Sequence, residues 1–385
     1  MSRIDELIKD LCPNGVTFKK LKDVCIIKKG TQLNKDKLKD EGAYPVINGG
    51  ISPSGYWDEF NFSANLITIS QGGASAGFVN FIETPFWAGA HCYVISKWID
   101  SIDYRYLYHF VKQQQKTFQQ KKVGAGIPGL ALKEVNELLI PVPPLAVQKE
   151  IVQVLDTFTE LEAELEAELE ARKRQYEYYK NKLLTPTVAN TIYLKLSEIA
   201  NYRRGAFPQP YGEQRWYGGE GAMPFVQVAD IAVRGMRLNQ TTNQLISVLA
   251  QPRSVFVPRG TVIVSLQGSI GRVAITQYDS FVDRTIAIFG DFKVNINRRY
   301  FAYQLQRKFS KEKESARGTT LKTITKEEFS EFKIPVPPLK DQEYIVSILD
   351  RFDALCDDIT AEIEDRRKQY EYYRDKLLTF KELKA

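Results

Sequence analysis

The sequence predicts an α+β chain: two mixed α/β domains joined by two long helices forming an antiparallel coiled coil, arranged as a pseudo-two-fold internal repeat. Three observations support this. Residues 140–185 and 334–379 align without a gap at a constant offset of 194, with more than half of the positions identical. Both segments step their apolar residues by three and four, the signature of a helix with one buried face. Each is preceded by short apolar runs separated by Gly-, Asn- and Ser-rich turns, the pattern of a sheet-containing body. The expected boundaries are 1–144 for the first body, 145–186 for the first helical region, 187–338 for the second body and 339–385 for the second helical region.

In chain order, Ile4, Leu7, Ile8 and Leu11 make a short amphipathic helix. The opening MSRIDELIKDL lacks the apolar stretch of a signal peptide, so the cytoplasm is the expected compartment. YPVINGGISPSGYW, NLITISQGGASAGFVNF and HCYVISKWI read as strands and turns, and a polar helix is expected at about 104–119. The second body shows the same order: MPFVQVADI, TVIVSLQGSIGRVAIT and RTIAIF, then a helix near 298–314. Weaker matches extend the repeat upstream. Gly77, Val79, Tyr106 and Gly124 find Gly271, Val273, Tyr300 and Gly318 at offset 194, while LKDVCIIKKG (21–30) resembles LSEIANYRRG (196–205) at offset 175. The second copy therefore carries an insertion of 19 residues.

After PVPPL, the first helix carries an apolar seam on one face, stepping mostly by three and four through Ile151, Val154, Phe158, Leu161, Leu165, Leu169, Tyr176, Tyr179 and Leu183. The second carries the same seam through Ile345, Ile348, Phe352, Leu355, Ile359, Ile363, Tyr370, Tyr373 and Leu377. The prolines stop the preceding strand and start the helix, and Thr185-Pro186 ends the first one. About 40 residues at ~1.5 Å each give a rod of roughly 60 Å. That overshoots a body of ~150 residues, perhaps 35–40 Å across, so each rod is expected to pair with the other. Within the first lies an LEAE tetrapeptide run, Leu161 to Glu170, whose acidic face is expected to stand away from anything anionic.

Composition bounds the chemistry. Among 385 residues, four cysteines (Cys12, Cys25, Cys92, Cys356) are scattered and only two histidines occur, His91 and His109, so neither a disulfide framework nor a metal site is expected. His91-Cys92, in the apolar run AHCYVIS, reads as buried strand. No apolar run approaches the roughly 18–20 residues that span a bilayer. The net charge of +6 permits nucleic-acid binding without arguing for it. No P-loop is present. GAGIPG (124–129) fits a dinucleotide-binding pattern by letter, but a helix rich in Gln and Lys precedes it rather than a strand. PVPPL lacks the polar residue and the aromatic that flank Pro-Pro in adenine amino-methyltransferases: Val142 and Val336 stand in place of the first, Leu145 and Leu339 of the second. No catalytic residues and no bound cofactor are expected.

Basic and amide residues fall where loops are expected, in both copies. The candidates for DNA contact are Lys28, Lys29, Gln71, Lys121 and Lys122 in the first, and Arg203, Arg204, Gln267, Arg272, Arg284, Arg317 and Lys322 in the second. Such side chains read base edges or hold phosphates. The near-verbatim helix ends RKRQYEYYKNKLL and RRKQYEYYRDKLL suggest a protein-binding surface made by Tyr176, Tyr178, Tyr179, Tyr370, Tyr372 and Tyr373.

Body, helix, body, helix, with IPVPPL, Gln148 to Phe158 and Gln342 to Phe352 at the helix starts and QYEYY-x-x-KLLT at the ends, resembles the specificity subunits of type I restriction–modification systems over essentially the whole chain. The resemblance implies two target-recognition domains, each reading one half of a bipartite, asymmetric DNA site with a gap set by the helices. It implies two methyltransferase subunits as partners, which bring S-adenosylmethionine and flip the target adenine, and a motor-nuclease subunit for restriction. Individual DNA contacts do not carry over, because the recognition domains differ between family members. The residues alone leave open a non-catalytic coiled-coil scaffold with two protein-binding domains, or a standalone bipartite repressor. DNA binding that ignored salt, or none at all, would favour the scaffold.

Overall fold

The structure, a computed structural model, describes residues 3–123, 128–185, 191–233, 235–315 and 326–383. The chain forms two compact units: Met1–Ala167 with Ala361–Ala385, and Glu168–Thr360. The division falls inside both long helices. Each unit thus contains one body, the start of its own helix and the end of the other copy's helix.

In the first unit the central sheet has four antiparallel strands in the order Cys25–Lys29, Cys92–Trp98, Leu66–Ser70, Val79–Ile82. Leu66–Ser70 is buried along its whole length, because the sheet is covered on both faces. A smaller sheet joins Tyr56–Trp57, Tyr44–Ile47 and Trp87–Ala88. A two-stranded ribbon, Thr17–Lys20 against Leu139–Val142, closes the body where the chain leaves for the long helix. The expected helix at 104–119 is two pieces, Tyr104–Gln113 and Gln115–Gln120.

The second unit repeats the plan. Its central sheet runs Ala200–Arg204, Ile286–Phe292, Val262–Ser265, Val273–Ile275, and its ribbon pairs Ile192–Lys195 with Lys333–Val336. Its second sheet has four strands: Gln244–Ile246, Met223–Val226, Ser280–Val282 and Val255–Val257. One helix, Arg298–Ser315, replaces the broken pair. Gly77 and Gly271, matched in the sequence, both adopt a left-handed φ, +88° and +77°. A Cβ at either would strike the helix behind it, 2.9 Å from the Gln119 nitrogen in one and 2.6 Å from Phe309 in the other.

The long helices are Leu145–Leu184 and Leu339–Leu377. The glutamine that follows each PVPPL anchors the helix start. Gln148 is fully buried; its Oε1 accepts the Asp103 N–H at 2.8 Å and its Nε2 donates to the Ser101 and Pro143 carbonyls at 2.8 and 2.7 Å. Gln342 does the same with the Asn297 N–H at 2.9 Å and the Pro337 carbonyl at 2.7 Å. Tyr106 and Tyr300 donate to the carbonyls of Pro141 and Pro335, both at 3.1 Å. Repetition of these letters therefore records a joint built twice.

The helix ends are equally determined. In the first unit Tyr370, Leu377 and Leu378 pack with the body's core, and Phe158 stacks on Tyr373 at 5.4 Å. Arg367 reaches both Glu162 and Glu166 at 2.5 Å. In the second unit Leu184 and Tyr176 pack with the core, Tyr179 stacks on Phe352 at 5.6 Å, and Arg307 and Gln304 donate to the Leu184 carbonyl, which the helix itself leaves unpaired. No helix among the described residues is long and apolar enough to cross a membrane.

Candidate nucleic-acid interface

Strand register gathers the basic and amide candidates at one end of each central sheet. In the first unit Lys29 pairs with Tyr93 and Ser70 with Cys92, so two strands end where Cys92–Trp98 begins. Lys28 and Lys29 are exposed, but on the edge strand Cys25–Lys29 and not on a loop as expected. A register shift between Ile26 and Ile27 breaks the alternation that would have revealed the strand. Charges on an edge also deter pairing with another chain. Gly30 then lets the backbone pass so close to the neighbouring turn that a Cβ would lie 2.3 Å from the Gly89 carbonyl oxygen.

Gln71 ties this tip together through its backbone. Its N–H donates to His91 at 2.8 Å and its carbonyl accepts from Leu130 at 2.7 Å. Its side-chain Oε1 is buried and unpartnered among the described residues. Asn48 Oδ1 accepts the His91 N–H at 3.0 Å. Cys92 is buried strand as expected, but His91 is not: it is exposed in the turn before the strand, where the Asn48 and Gln71 contacts hold it. Lys122 donates to the Ala74 carbonyl at 3.0 Å, within the same hairpin loop, and Lys121 pairs with Glu134 at 2.8 Å. Gly124 to Ile127 lie outside the described residues.

The second unit has the same tip with different side chains. Arg204 pairs with Ala287 and Ser265 with Ile286. Arg203 and Arg204 are exposed and again on an edge strand, Ala200–Arg204, correcting the loop expected there; a shift between Ala200 and Tyr202 hides that strand in the same way. Gly205 approaches the Val282 carbonyl oxygen so closely that a Cβ would lie 2.1 Å from it. Gln267 is half-buried in the hairpin loop and Arg284 is exposed in the facing turn. Arg272 turns inward, donating to the Ile231 carbonyl at 3.2 Å and to that of Val228 at 3.4 Å, so it braces the loop. Arg317 and Lys322 lie outside the described residues.

Three residues at this second tip carry no sequence motif: Tyr211, Gln227 and Asp283. Tyr211 donates its hydroxyl to Asp283 at 3.2 Å and accepts from Gln227 Nε2 at 2.6 Å. Burial and the Asp283 charge push that hydroxyl up to about 12. Asp283 also accepts from the Thr285 N–H and hydroxyl at 2.9 and 2.6 Å. The Arg284 guanidinium lies 5.7 Å from the Tyr211 ring centre. Because these partners come from three separate loops, only the fold brings them together.

The six helix tyrosines divide into two kinds. Tyr176 and Tyr370 turn into the cores of the second and first units, where burial raises both hydroxyls well above the ordinary range. Tyr178 and Tyr372 are 61% and 63% exposed, each edge-to-face with the stacked Tyr179 or Tyr373 at 5.3 Å. In the first unit, Phe158, Arg366, Gln369, Tyr372 and Tyr373 line a hollow of about 530 Å³. Among the described residues no group of three or more His, Cys, Asp or Glu side chains could hold a metal ion.

Comparison with known proteins gives a consistent result. The family model described as type I restriction modification DNA specificity domain matches twice, over residues 13–171 and 193–366. A protein of Haemophilus influenzae named as a type I restriction enzyme specificity subunit is 29% identical over 95% of this chain and 96% of its own length. A type I restriction enzyme specificity subunit of Escherichia coli is 32% identical over 65% of each chain. The crystal structure of the S subunit of a type I restriction–modification system from Mycoplasma genitalium has the same fold, with a TM-score of 0.61 at 20% identity over 94% of this chain and 96% of that one. This chain thus belongs to the family of type I restriction–modification DNA specificity subunits, which contribute recognition and no catalysis.

Proposed function

We propose that each unit reads one half of a bipartite, asymmetric DNA site, and that the two long helices, paired antiparallel as a coiled coil in a pseudo-two-fold repeat, set the gap between the halves. The chain works in the cytoplasm and directs two methyltransferase subunits and a motor-nuclease subunit to that site. S-adenosylmethionine belongs to the methyltransferase; this chain holds no cofactor.

The observation that carries this reading is the pair of sheet tips. Both are built on the same register and the same close glycine turn, yet they present Lys29, Gln71 and His91 in one unit and Arg204, Gln267 and Arg284 in the other. A constant frame with unlike tips suits two different half-sites. Exposed Lys28, Lys29, Arg203 and Arg204 supply phosphate contacts, which position a protein on DNA without specifying sequence. Arg284 and the amide of Gln267 are the groups able to read base edges, while Gln71, whose Oε1 is buried, supports the first tip through its backbone. Lys121 and Lys122, bound to Glu134 and Ala74, support the first tip and add charge near it. Tyr178, Tyr179, Tyr372 and Tyr373 form the protein-binding faces, one in each unit.

Mapping methylated adenines in DNA from cells that carry this chain with its methyltransferase tests the proposal. One split motif with two unlike halves and a fixed gap is expected. A continuous motif, or methylation unchanged when the chain is deleted, overturns it.

A further inference from the structure

Arg284 has no counterpart in the first unit. Ser265 pairs with Ile286 as Ser70 pairs with Cys92, so the two turns superpose position by position, and Ala90 stands where Arg284 is. Gly89 likewise stands where Asp283 is. The parallel pairs Val226↔Val282 and Ile47↔Ala88 make Gln227 the equivalent of Asn48. In the first unit that amide side chain holds the His91 backbone at 3.0 Å. In the second it donates to Tyr211 at 2.6 Å. Tyr211 itself lies between Gly205 and Gln227, which are 22 positions apart against 18 between Gly30 and Asn48, so four of the 19 extra residues fall in its stretch.

The second copy thus holds, beside one arginine, a tyrosine platform that the first copy lacks. Asp283 is occupied by the Tyr211 hydroxyl and by both donors of Thr285, at 3.2, 2.9 and 2.6 Å. It does not pair with Arg284, although it is the adjacent residue. No ion pair of Arg284 occurs among the described residues, and its guanidinium lies over the Tyr211 ring at 5.7 Å, exposed at the tip. A planar cation seated over a ring and exposed at the tip has the forked donors that match the paired O6 and N7 acceptors of guanine in the major groove.

We propose that Arg284, seated on Tyr211, reads a guanine in the half-site of the second unit, and that the first half-site has no guanine recognised at the corresponding position. This rests on the DNA-reading function proposed above. A purely electrostatic role, in which Arg284 meets a phosphate, predicts something different, because phosphate contacts weaken binding to all sequences alike.

The experiment is Arg284→Lys, which keeps the charge and loses the fork, made in the full chain and tested with its methyltransferase by mapping methylated adenines. The expected result is that one G·C position in one half of the motif becomes degenerate, with discrimination there falling roughly ten- to a hundredfold, while the other half and the gap are unchanged. Tyr211→Ala should relax the same position, and Tyr211→Phe, which keeps the ring, should relax it less. A motif unchanged in Arg284→Lys, or a wild-type half-site without any G·C pair, overturns the inference and leaves the bipartite reading standing. Absence of a split motif in the wild type defeats the bipartite reading itself.

Discussion

His109 and Tyr303 occupy equivalent positions in the two copies and face equivalent carboxylates. His109 is fully buried; Nε2–H donates to Asp156 at 2.8 Å and Nδ1 accepts from the Tyr370 hydroxyl at 3.1 Å. Tyr303 donates its single proton toward Asp350 at 3.0 Å and Asp353 at 2.8 Å. Arg105 and Arg299 complete the two clusters, each bonded at 2.5 Å to the aspartate of its own unit. Burial holds His109 below its ordinary value despite Asp156. The unfolded chain therefore binds a proton there at a higher pH than the folded one, and stability falls as pH drops below about 6.5. The steepest loss is about 1.4 kcal/mol per pH unit. Urea unfolding of the first unit, followed by amide exchange in the 104–113 helix, should show this loss between pH 7.5 and 5.5. His109→Tyr, which copies the second unit, should remove it.

The glutamine joints give a second residue-scale expectation. Gln148→Leu leaves the Asp103 N–H and two carbonyls without their partner in a buried site. The cost should be about 3 kcal/mol in the urea midpoint of the first unit, from the unmade bonds and not from lost volume. Gln148 and Gln342 were visible in the sequence as identical letters; their purpose was not, since Asp103 and Asn297 lie 45 positions away. Separation along the chain, 16 positions from Tyr211 to Gln227 and 72 to Asp283, likewise leaves that cluster without a motif. A motif marks neighbours in the chain, and these are neighbours only in space.

Among the elements, the long helices were the most legible, because a seam repeated over some forty residues is a strong periodic signal. The short edge strands were the least legible. Five residues with a register shift among them carry almost no alternation, which is why Lys28, Lys29, Arg203 and Arg204 read as loop. The LEAE run offers a direct test of what the helices do. Removing Leu165 to Glu168 shortens the first helix by roughly 6 Å and turns it by about 400°, close to one full circle, so the seam continues. Under the proposed function both half-sites should persist and the gap should shrink by one or two base pairs at ~3.4 Å each. Methylome mapping reads this directly; an unchanged gap means the helices do not set it. Glu170 would then stand four residues after Glu162, in the place of Glu166, so Arg367 keeps two glutamates opposite it.

On the scale of the whole molecule, each unit is finished by a helix end that the other copy begins. Tyr176 and Leu184 come from the helix that starts in the first unit, and Tyr370 and Leu377 from the helix that starts in the second. This accounts for the near-verbatim QYEYY ends more fully than a binding surface does. Two similar bodies require two similar plugs, so the buried Tyr176 and Tyr370 are held by packing, and only the outward tyrosines remain for a protein partner.

The strand Cys92–Trp98 and its counterpart Ile286–Phe292 each run seven residues from tip to joint, a distance of about 20 Å. Under the proposed function one extremity carries the lettering and the other the mounting bolts, with the strand as the shank between. A substitution at the tip is thus remote from the joint, and under the proposed function the script can be rewritten letter by letter while the machine that carries it stays assembled.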